Sequence, residues 1–482
     1  MRAGPVDLPY YWDEADVYAP GARWVAEHGL DIRPGVFPDD YSRGHPPLLY
    51  LLAGIAFSVF GPGPATGHLL VLPFAVLALL GTYLLGRDTW GRPAGIAAAA
   101  LLAATPLFAS IAAMLLPEIA LCSLAALALW LFARGRLVLA AVASALAVLV
   151  KETGLFVPLA LAGALGIEAL RDRALGKART WAGIGICLSP ALALAAFFVW
   201  QKLLAGYFIF PHHQNLFWQR PFYAEDVLTV FPSLVLWHGR WLLMAAAAGL
   251  ALACLLVPDW RRICGRPEPE AAGPRARPRR SSVAVAVLLL VLGNAVFFAK
   301  MFYLERYALP AHPGLLVIAC AALLHPAALE LPIGAWWRWA RWAPIAGAWI
   351  LGLCGLYAAA PPDRAELTFA YADVIATHEQ AAAAIEARGG QLTVLSSWPM
   401  TVELRHPYLG YVGRPQTALH IDAWRERDPR PRIDLVLCAE GSRHAEALRA
   451  EAAARGFELL ERFQLGHARA LALYGQRAGA GP

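Results

Sequence analysis

Residues 66–86 have the sequence TGHLLVLPFAVLALLGTYLLG, without a single charged side chain. A helix that crosses the hydrocarbon core of a bilayer needs about 20 such residues. The Leu- and Ala-rich composition favours helix over strand, and the alternating pattern of a membrane β-barrel is missing from the sequence. Further apolar runs follow at 94–110, 118–133, 137–151, 153–170, 181–204, 237–258, 283–299, 306–325 and 343–358. The sequence therefore predicts an α-helical polytopic membrane protein with about ten spans.

The composition of the chain changes after about Tyr357. Over all 482 residues, 59% are hydrophobic and 16% are charged, whereas a soluble domain carries roughly 25% charged residues. This deficit of charge is confined to the part before Tyr357. We therefore expect a membrane domain at 66–358 and a small soluble α/β domain at 362–482. Predicted elements of the soluble domain are helices at 370–388 and 442–455, the second capped by Ser442, and strands at 391–396, 433–438, 457–463 and 468–474.

The basic residues lie in every second loop between the apolar runs. These loops are 87–92, 134–136, 171–179, 261–280 and 338–341. Such loops are typical of the cytoplasmic side, so the net charge of +6 indicates contact with anionic lipid and no nucleic-acid partner. The Pro- and Arg-rich loop at 259–282 is predicted to be disordered. The alternation places the N-terminal segment, the turns at Glu118 and Lys151, the loop at 205–236 and the soluble domain outside.

Residues 1–65 are predicted to form an external acidic loop with an interfacial helix at 47–60, which is too short to span a bilayer. The first eleven residues lack the apolar core of a signal peptide. Because an external segment requires an export signal, we expect a further membrane helix before Met1.

No metal site or cofactor is predicted. The seven cysteines show neither metal-ligand spacing nor a disulfide framework. The adjacent His212 and His213 are weak evidence for a metal, and the sequence contains no Gly-rich phosphate loop.

Five charged residues map to the predicted outer face: Asp13, Glu14, Glu118, Lys151 and Arg306. Taken singly, each has an ordinary interpretation, as a solvated loop acid, a snorkelling pair or an anchor at a helix end. Together they predict a site for an anionic, lipid-borne substrate. A carboxylate there can act as a general base, while Lys and Arg can hold a phosphate.

A series of short motifs occurs in a particular order along the chain. They are Trp12-Asp13-Glu14-Ala15, His45-Pro46-Pro47, Gly86-Arg87, Thr105-Pro106, Pro117-Glu118, Lys151-Glu152-Thr153-Gly154 and Arg306-Tyr307-Ala308-Leu309-Pro310. This order resembles the polytopic glycosyltransferases of the C-type fold, in particular the group of dolichyl-phosphate-mannose protein mannosyltransferases and aminoarabinose transferases. The resemblance covers residues 10–160 well and 283–325 loosely.

The resemblance implies transfer of a sugar from a polyprenyl-phosphate carrier to an acceptor on the outer face, with inversion at the anomeric carbon. By this resemblance Asp13 is the catalytic carboxylate, with Glu14 beside it. The implied substrate-binding residues are His45, Glu118, Lys151, Glu152, Arg306 and Tyr307. His45 stands where the aminoarabinose enzymes have Lys, and Glu118 stands where many members have Asp. The family also begins with a membrane helix before its acidic loop, where this chain has only a short segment.

The predicted function is therefore a membrane glycosyltransferase in the cell membrane, with a bacterial inner membrane as the expected location. Its predicted partners are the lipid-linked donor, membrane lipids and an acceptor that is a protein, a lipid or a glycan. One alternative is a transporter or flippase for a lipid-linked saccharide, but the charges lie at the ends of the spans and not in their middles. Another is a binding module on a membrane anchor, which needs far fewer spans.

Overall fold

The computed structural model describes residues 5–171, 177–219, 224–237, 239–256, 280–301, 303–324, 337–360, 362–427 and 429–476. Among these residues, five helices are long and apolar enough to cross a membrane: Pro64–Trp90, Glu152–Arg171, Thr180–Ala205, Arg280–Lys300 and Glu305–Leu324. Shorter apolar helices are Leu48–Phe60, Arg92–Ala104, Pro117–Ala133, Leu137–Val150 and Ala343–Gly355. The helical membrane architecture is confirmed, and the total of ten spans stays a prediction.

Proline divides one of the predicted runs into two helices. The run at 94–110 is two helices, Arg92–Ala104 and Pro106–Ile111, because proline has no N–H to donate and disfavours helical backbone in the residue before it. Residues 205–236, predicted as a loop, contain the helices Pro211–Gln219 and Ala224–Val235. Pro211 occupies the first helical position, where its missing N–H costs nothing. The predicted disordered loop at 259–282 lies, up to residue 279, outside the described residues.

Small residues allow the membrane helices to pack closely. A Cβ atom on Gly86 would lie 2.5 Å from the Cα of Gly95, and one on Gly81 would lie 3.0 Å from the Cβ of Ala126. These contacts join the helix Pro64–Trp90 to its neighbours Arg92–Ala104 and Pro117–Ala133. Because lipid tails are as apolar as leucine, close van der Waals packing of this kind drives helix association in a bilayer. The helix Pro117–Ala133 is buried along almost its whole length.

The C-terminal part of the chain, called the soluble domain after the prediction above, contains a sheet of five described strands in the order β2-β1-β3-β5-β4. Their bounds are β1 Thr393–Ser396, β2 Thr417–His420, β3 Leu435–Ala439, β4 Glu458–Phe463 and β5 Leu471–Gly475. β1 runs parallel to β2 and β3, while β5 runs antiparallel to β3 and β4. The longer helices of the domain are Tyr371–Glu386 and Ala445–Ala454, and short helices lie at Met400–Glu403 and Ile421–Arg425. The predicted strands are all present, and β2 is an addition.

The predicted cap of the last helix is wrong. The helix begins at Ala445, after His444, and no side chain caps it. The backbone of Ser442 instead forms a turn, donating to the carbonyl of Ala439 and accepting from the N–H of Ala445.

The soluble domain packs against the N-terminal segment. The Tyr10 N–H donates to the carbonyl of Leu409 over 3.0 Å. The ring of Trp12 meets that of Trp398 edge-on, with centroids 4.4 Å apart. These contacts place the soluble domain on the same face as the segment that carries Asp13.

Candidate active site

Asp13 lies at the start of the helical turn Glu14–Tyr18. The preceding residue, Trp12, has a left-handed φ of 53°, which is uncommon for a non-glycine residue and is found where surrounding contacts hold the backbone. Packing of the Trp12 ring against Trp398 supplies such a contact. The loop therefore presents the Asp13 carboxylate in a defined direction, toward Arg306.

Arg306 is the buried cation of the site. It belongs to the 3-10 helix Glu305–Ala311 and forms an ion pair with Asp13. The Asp13 side chain is 29% exposed, whereas that of Arg306 is 3% exposed. A buried guanidinium requires anions around it, because removing a charge from water without compensation is costly. The carboxylate thus lies at the solvent boundary with its positive partner behind it.

Two more carboxylates surround Arg306 in the described part of the chain. Glu366 Oε1 lies 3.3 Å from Nη1, and Glu118 Oε1 lies 3.9 Å from Nε. Glu366 comes from the 3-10 helix Pro362–Leu367, which leads from the membrane domain into the soluble domain. Burial raises the pKa of the Glu366 carboxyl, while the adjacent Arg306 opposes this shift and favours the ionised form. Glu366 is not predicted from the sequence, because no local pattern indicates that this linker returns to Arg306.

Lys151 is the second buried cation. Its Nζ lies 2.9 Å from Glu118 Oε1, and both side chains are almost fully buried. The ammonium also stands 4.3 Å from the centroid of the Tyr307 ring, a cation–π arrangement. Glu118 therefore links the two cations. The cluster brings together four predicted residues that are distant in sequence, Asp13, Glu118, Lys151 and Arg306.

His45 and Glu152 form a pair beside this cluster. His45 Nδ1 lies 2.8 Å from Glu152 Oε2, and the His45 ring lies 5.2 Å from the ring of His213. Burial, together with the nearby His45, lowers the pKa of His213 to about 4. His213 is therefore neutral at physiological pH and is able to hydrogen-bond without adding charge. Its sequence signal was only the His212-His213 dipeptide.

Glu14 does not join the cluster around Arg306. Its carboxylate is fully buried and lies 3.1 Å from His68 Nε2. The same carboxylate accepts hydrogen bonds from the backbone N–H groups of Tyr11 and Leu115. These bonds tie the Asp13 turn to the loop that precedes Glu118. Glu14 is thus placed as a positioning residue, and its partner His68 was not identified in the sequence.

Replacing Glu14 by Gln is expected to lower the free energy of unfolding by about 1.5–3 kcal/mol, the usual worth of hydrogen bonds to a buried charge. Each oxygen of the Glu14 carboxylate accepts from a backbone N–H, whereas Gln has only one oxygen. In either orientation of the Gln amide, its N–H₂ group would therefore face one of these donors. The measurement is the melting temperature of the protein purified in detergent. Glu27→Gln, on an exposed pair with Arg23, is the matched control and should change little. Equal melting temperatures for the two variants would contradict the positioning role.

An open cavity of about 550 Å³ lies between the N-terminal segment and the soluble domain. Asp16, Arg43, His212, His406 and Tyr408 are among its lining residues. Asp16 is one helical turn from Asp13 and pairs with Arg43 over 2.6 Å, and burial raises the pKa of its carboxyl. A polar cavity of this size next to a partly exposed carboxylate has room for a hydrophilic ligand.

Comparison with known proteins supports the resemblance drawn from the motifs. Residues 44–200 match the family described as dolichyl-phosphate-mannose-protein mannosyltransferase. The crystal structure of ArnT from Cupriavidus metallidurans bound to undecaprenyl phosphate superposes with a TM-score of 0.61 at 16% identity, covering 99% of this chain and 96% of that one. The apo state of ArnT gives a TM-score of 0.58 at 16% identity, covering 97% and 94%.

A second kind of enzyme shares the architecture at a greater distance. The Archaeoglobus fulgidus oligosaccharyltransferase, in complex with Zn and sulfate, superposes with a TM-score of 0.50 at 15% identity, covering 86% of this chain and 59% of that one. No curated protein sequence matches this chain significantly. The structural matches show that this chain has the C-type glycosyltransferase fold, as the order of its motifs predicts.

Proposed function

We propose that the chain is a membrane glycosyltransferase that moves a sugar from a polyprenyl-phosphate carrier to an acceptor at the outer face of the membrane. The observation that carries this proposal is the partly exposed Asp13 carboxylate in front of the buried cations Arg306 and Lys151. The fold adds support, since ArnT, which has the same architecture, is known in a complex with undecaprenyl phosphate.

In the proposed reaction, Asp13 orients the acceptor nucleophile and takes its proton. The acceptor oxygen or nitrogen attacks the anomeric carbon, and the bond from that carbon to the phosphate oxygen breaks. The electron pair leaves with the carrier, which departs as polyprenyl phosphate. A single displacement of this kind inverts the anomeric configuration.

Arg306 and Lys151 are proposed to bind the carrier phosphate. Without donor, their charges are balanced by Asp13, Glu118 and Glu366. A phosphate that approaches from the exposed side replaces Asp13 as the counter-ion of Arg306, which frees that carboxylate for the acceptor. Preorganised cations of this kind stabilise the charge that develops on the leaving group. His45, Glu152 and Tyr307 are proposed to complete the donor site around Lys151.

We further propose three domains: an external segment at 1–65, a membrane domain at 66–358 with about ten spans, and an extracytoplasmic α/β domain at 362–482. The cell membrane is the proposed location. The contact between Trp12 and Trp398 supports a common side for the first and last of these domains.

Cysteine labelling in intact cells tests this topology. Arg432, whose side chain is 92% exposed, is replaced by Cys in a chain that also carries Cys264→Ser and Cys354→Ser, because Cys354 is an exposed free thiol. A membrane-impermeant maleimide is expected to label the Arg432→Cys chain from outside. Because the native Cys438 of this domain is buried, the label can be assigned to the introduced cysteine. In a chain with Cys264 restored and Arg432 unchanged, Cys264 should react only after permeabilisation. The reverse pattern of labelling would place the soluble domain in the cytoplasm.

The function itself is tested with the protein purified in detergent. A polyprenyl-phosphate sugar carrying a labelled sugar is incubated with the protein and with an envelope extract as the source of acceptor. Acceptor-dependent release of polyprenyl phosphate, with the label recovered in a new product, is the expected result. If the protein bound the donor but released no polyprenyl phosphate with any acceptor, the proposed enzymatic activity would be contradicted and a transporter would be favoured.

A further inference from the structure

We propose that His420, Asp422 and His444 form a binding site for a divalent transition-metal cation such as Zn²⁺ on the soluble domain. No motif spacing in the sequence indicates this site. It is separate from the cluster around Arg306, and the proposed sugar transfer does not use it.

The sheet brings the three residues together. His420 is the last residue of β2, and Asp422 follows in the helix Ile421–Arg425. His444 immediately precedes the helix Ala445–Ala454, which follows β3. Since β2, β1 and β3 are parallel, these residues meet at the carboxyl edge of the strands, where open α/β sheets bind their ligands.

Two distances within this group are close to those between the ligands of a cation and are too long for hydrogen bonds. Asp422 Oδ2 lies 3.7 Å from His420 Nδ1, and Asp422 Oδ1 lies 3.6 Å from His444 Nδ1. The three ligand atoms lie within 4.8 Å of one another, so the side chains would have to close in slightly around a bound ion. A polar contact at 3.6 Å is too long for a hydrogen bond. Around a tetrahedral Zn²⁺ with bonds of about 2.0–2.2 Å, neighbouring ligand atoms are roughly 3.3–3.6 Å apart.

The ligand set and its exposure define the type of site. Two imidazoles and one carboxylate suit Zn²⁺ and related ions better than Mg²⁺ or Ca²⁺, which prefer oxygen ligands alone. Asp422 is exposed, and His420 is about a quarter exposed, so solvent reaches the site. The fourth position is thus open to water or to a ligand from outside. A bound ion would tie the end of β2 to the helix after β3 and so stabilise the folded domain.

Two contacts compete with the ion and make the proposal more specific. His420 Nδ1 accepts a long hydrogen bond of 3.3 Å from the Asp422 N–H. Arg443 Nε donates to His444 Nε2 over 2.7 Å. A metal on Nδ1 of His444 requires the proton on Nε2, so the exposed Arg443 side chain must swing away. Removing this arginine is therefore expected to tighten metal binding.

The test uses the full-length protein in detergent, stripped with a chelator and titrated with ZnCl₂ by calorimetry, with Co²⁺ absorption as a second readout. The wild type is expected to bind one Zn²⁺ here. His420→Asn and His444→Ala should each weaken this binding at least about tenfold, and Arg443→Ala should strengthen it. Asn keeps an acceptor for the Asp422 N–H, which separates loss of the ligand from loss of the helix cap. His467→Ala, an exposed histidine of the same domain, is the matched control and should leave affinity unchanged.

Three outcomes overturn the proposal. The first is no binding of Zn²⁺ or Co²⁺ at millimolar concentration. The second is binding that His420→Asn and His444→Ala leave intact. The third is binding that disappears only in His213→Ala, which would assign the ion to the histidines beside Glu152.

Discussion

Replacing Asp13 by Asn is expected to slow sugar transfer about 10²–10⁴-fold, the usual effect of removing a general base. Asparagine keeps the shape of the side chain and its hydrogen-bonding capacity but removes the charge and the basicity. The fold should survive, because Arg306 retains Glu366 at 3.3 Å and Glu118 at 3.9 Å as counter-ions. The rate of sugar transfer should therefore fall, whereas the affinity for the donor should change much less.

The measurement is single-turnover transfer from a polyprenyl-phosphate sugar by purified protein, with the melting temperature recorded for each variant. Asp31→Asn is the matched control, since Asp31 belongs to the same N-terminal segment and pairs only with the exposed Arg33 in the described residues. It should transfer sugar at the wild-type rate. Near-normal turnover of Asp13→Asn would remove Asp13 from the mechanism. If Glu14→Gln alone abolished transfer while keeping its melting temperature, the two acids would exchange roles.

Replacing Lys151 by Gln is expected to weaken binding of polyprenyl phosphate about 10–100-fold, which corresponds to the 1.5–3 kcal/mol typical of a hydrogen bond to a charged group. Lys151 and Arg306 are the cations within reach of Glu118 in the described structure. Losing one of them leaves the excess carboxylate to repel the phosphate. Gln fills most of the space under the Tyr307 ring, so the effect should be chiefly electrostatic.

Binding is measured with undecaprenyl phosphate in detergent, at two salt concentrations. The control is Lys202→Gln, because Lys202 is exposed and donates to the backbone carbonyl of Gly206. Lys151→Arg should recover part of the affinity by keeping the charge in a larger side chain. Equal affinity for wild type and Lys151→Gln would exclude Lys151 from the donor site. An equal loss in Lys202→Gln would point to a non-specific effect of net charge.

The membrane part of this protein could be predicted from the sequence because its rule is local. Each backbone N–H and C=O in lipid must bond within its own segment, so a long apolar run such as 66–86 has to become a helix. The actual helix, Pro64–Trp90, extends beyond that run at both ends. The order of the short motifs around Asp13, His45, Lys151 and Arg306 could also be read from the sequence, because it does not depend on which residues are in contact.

The roles of neighbouring residues were decided only by the tertiary structure. Successive side chains on a helical turn point about 100° apart, so Asp13 faces Arg306 while Glu14 is buried against His68. Nothing in the dipeptide distinguishes the two acids. Glu366 reaches Arg306 through a long-range contact that the linker composition does not encode.

The same limit applies to His420, Asp422 and His444. Their meeting depends on β2 and β3 being parallel strands on either side of β1, and β2 was not predicted from the sequence. The pattern of apolar and polar residues along a chain indicates the local secondary structure and the face that it buries. The partners of a charged side chain depend on where distant segments return, and that is determined by the packing of the whole molecule.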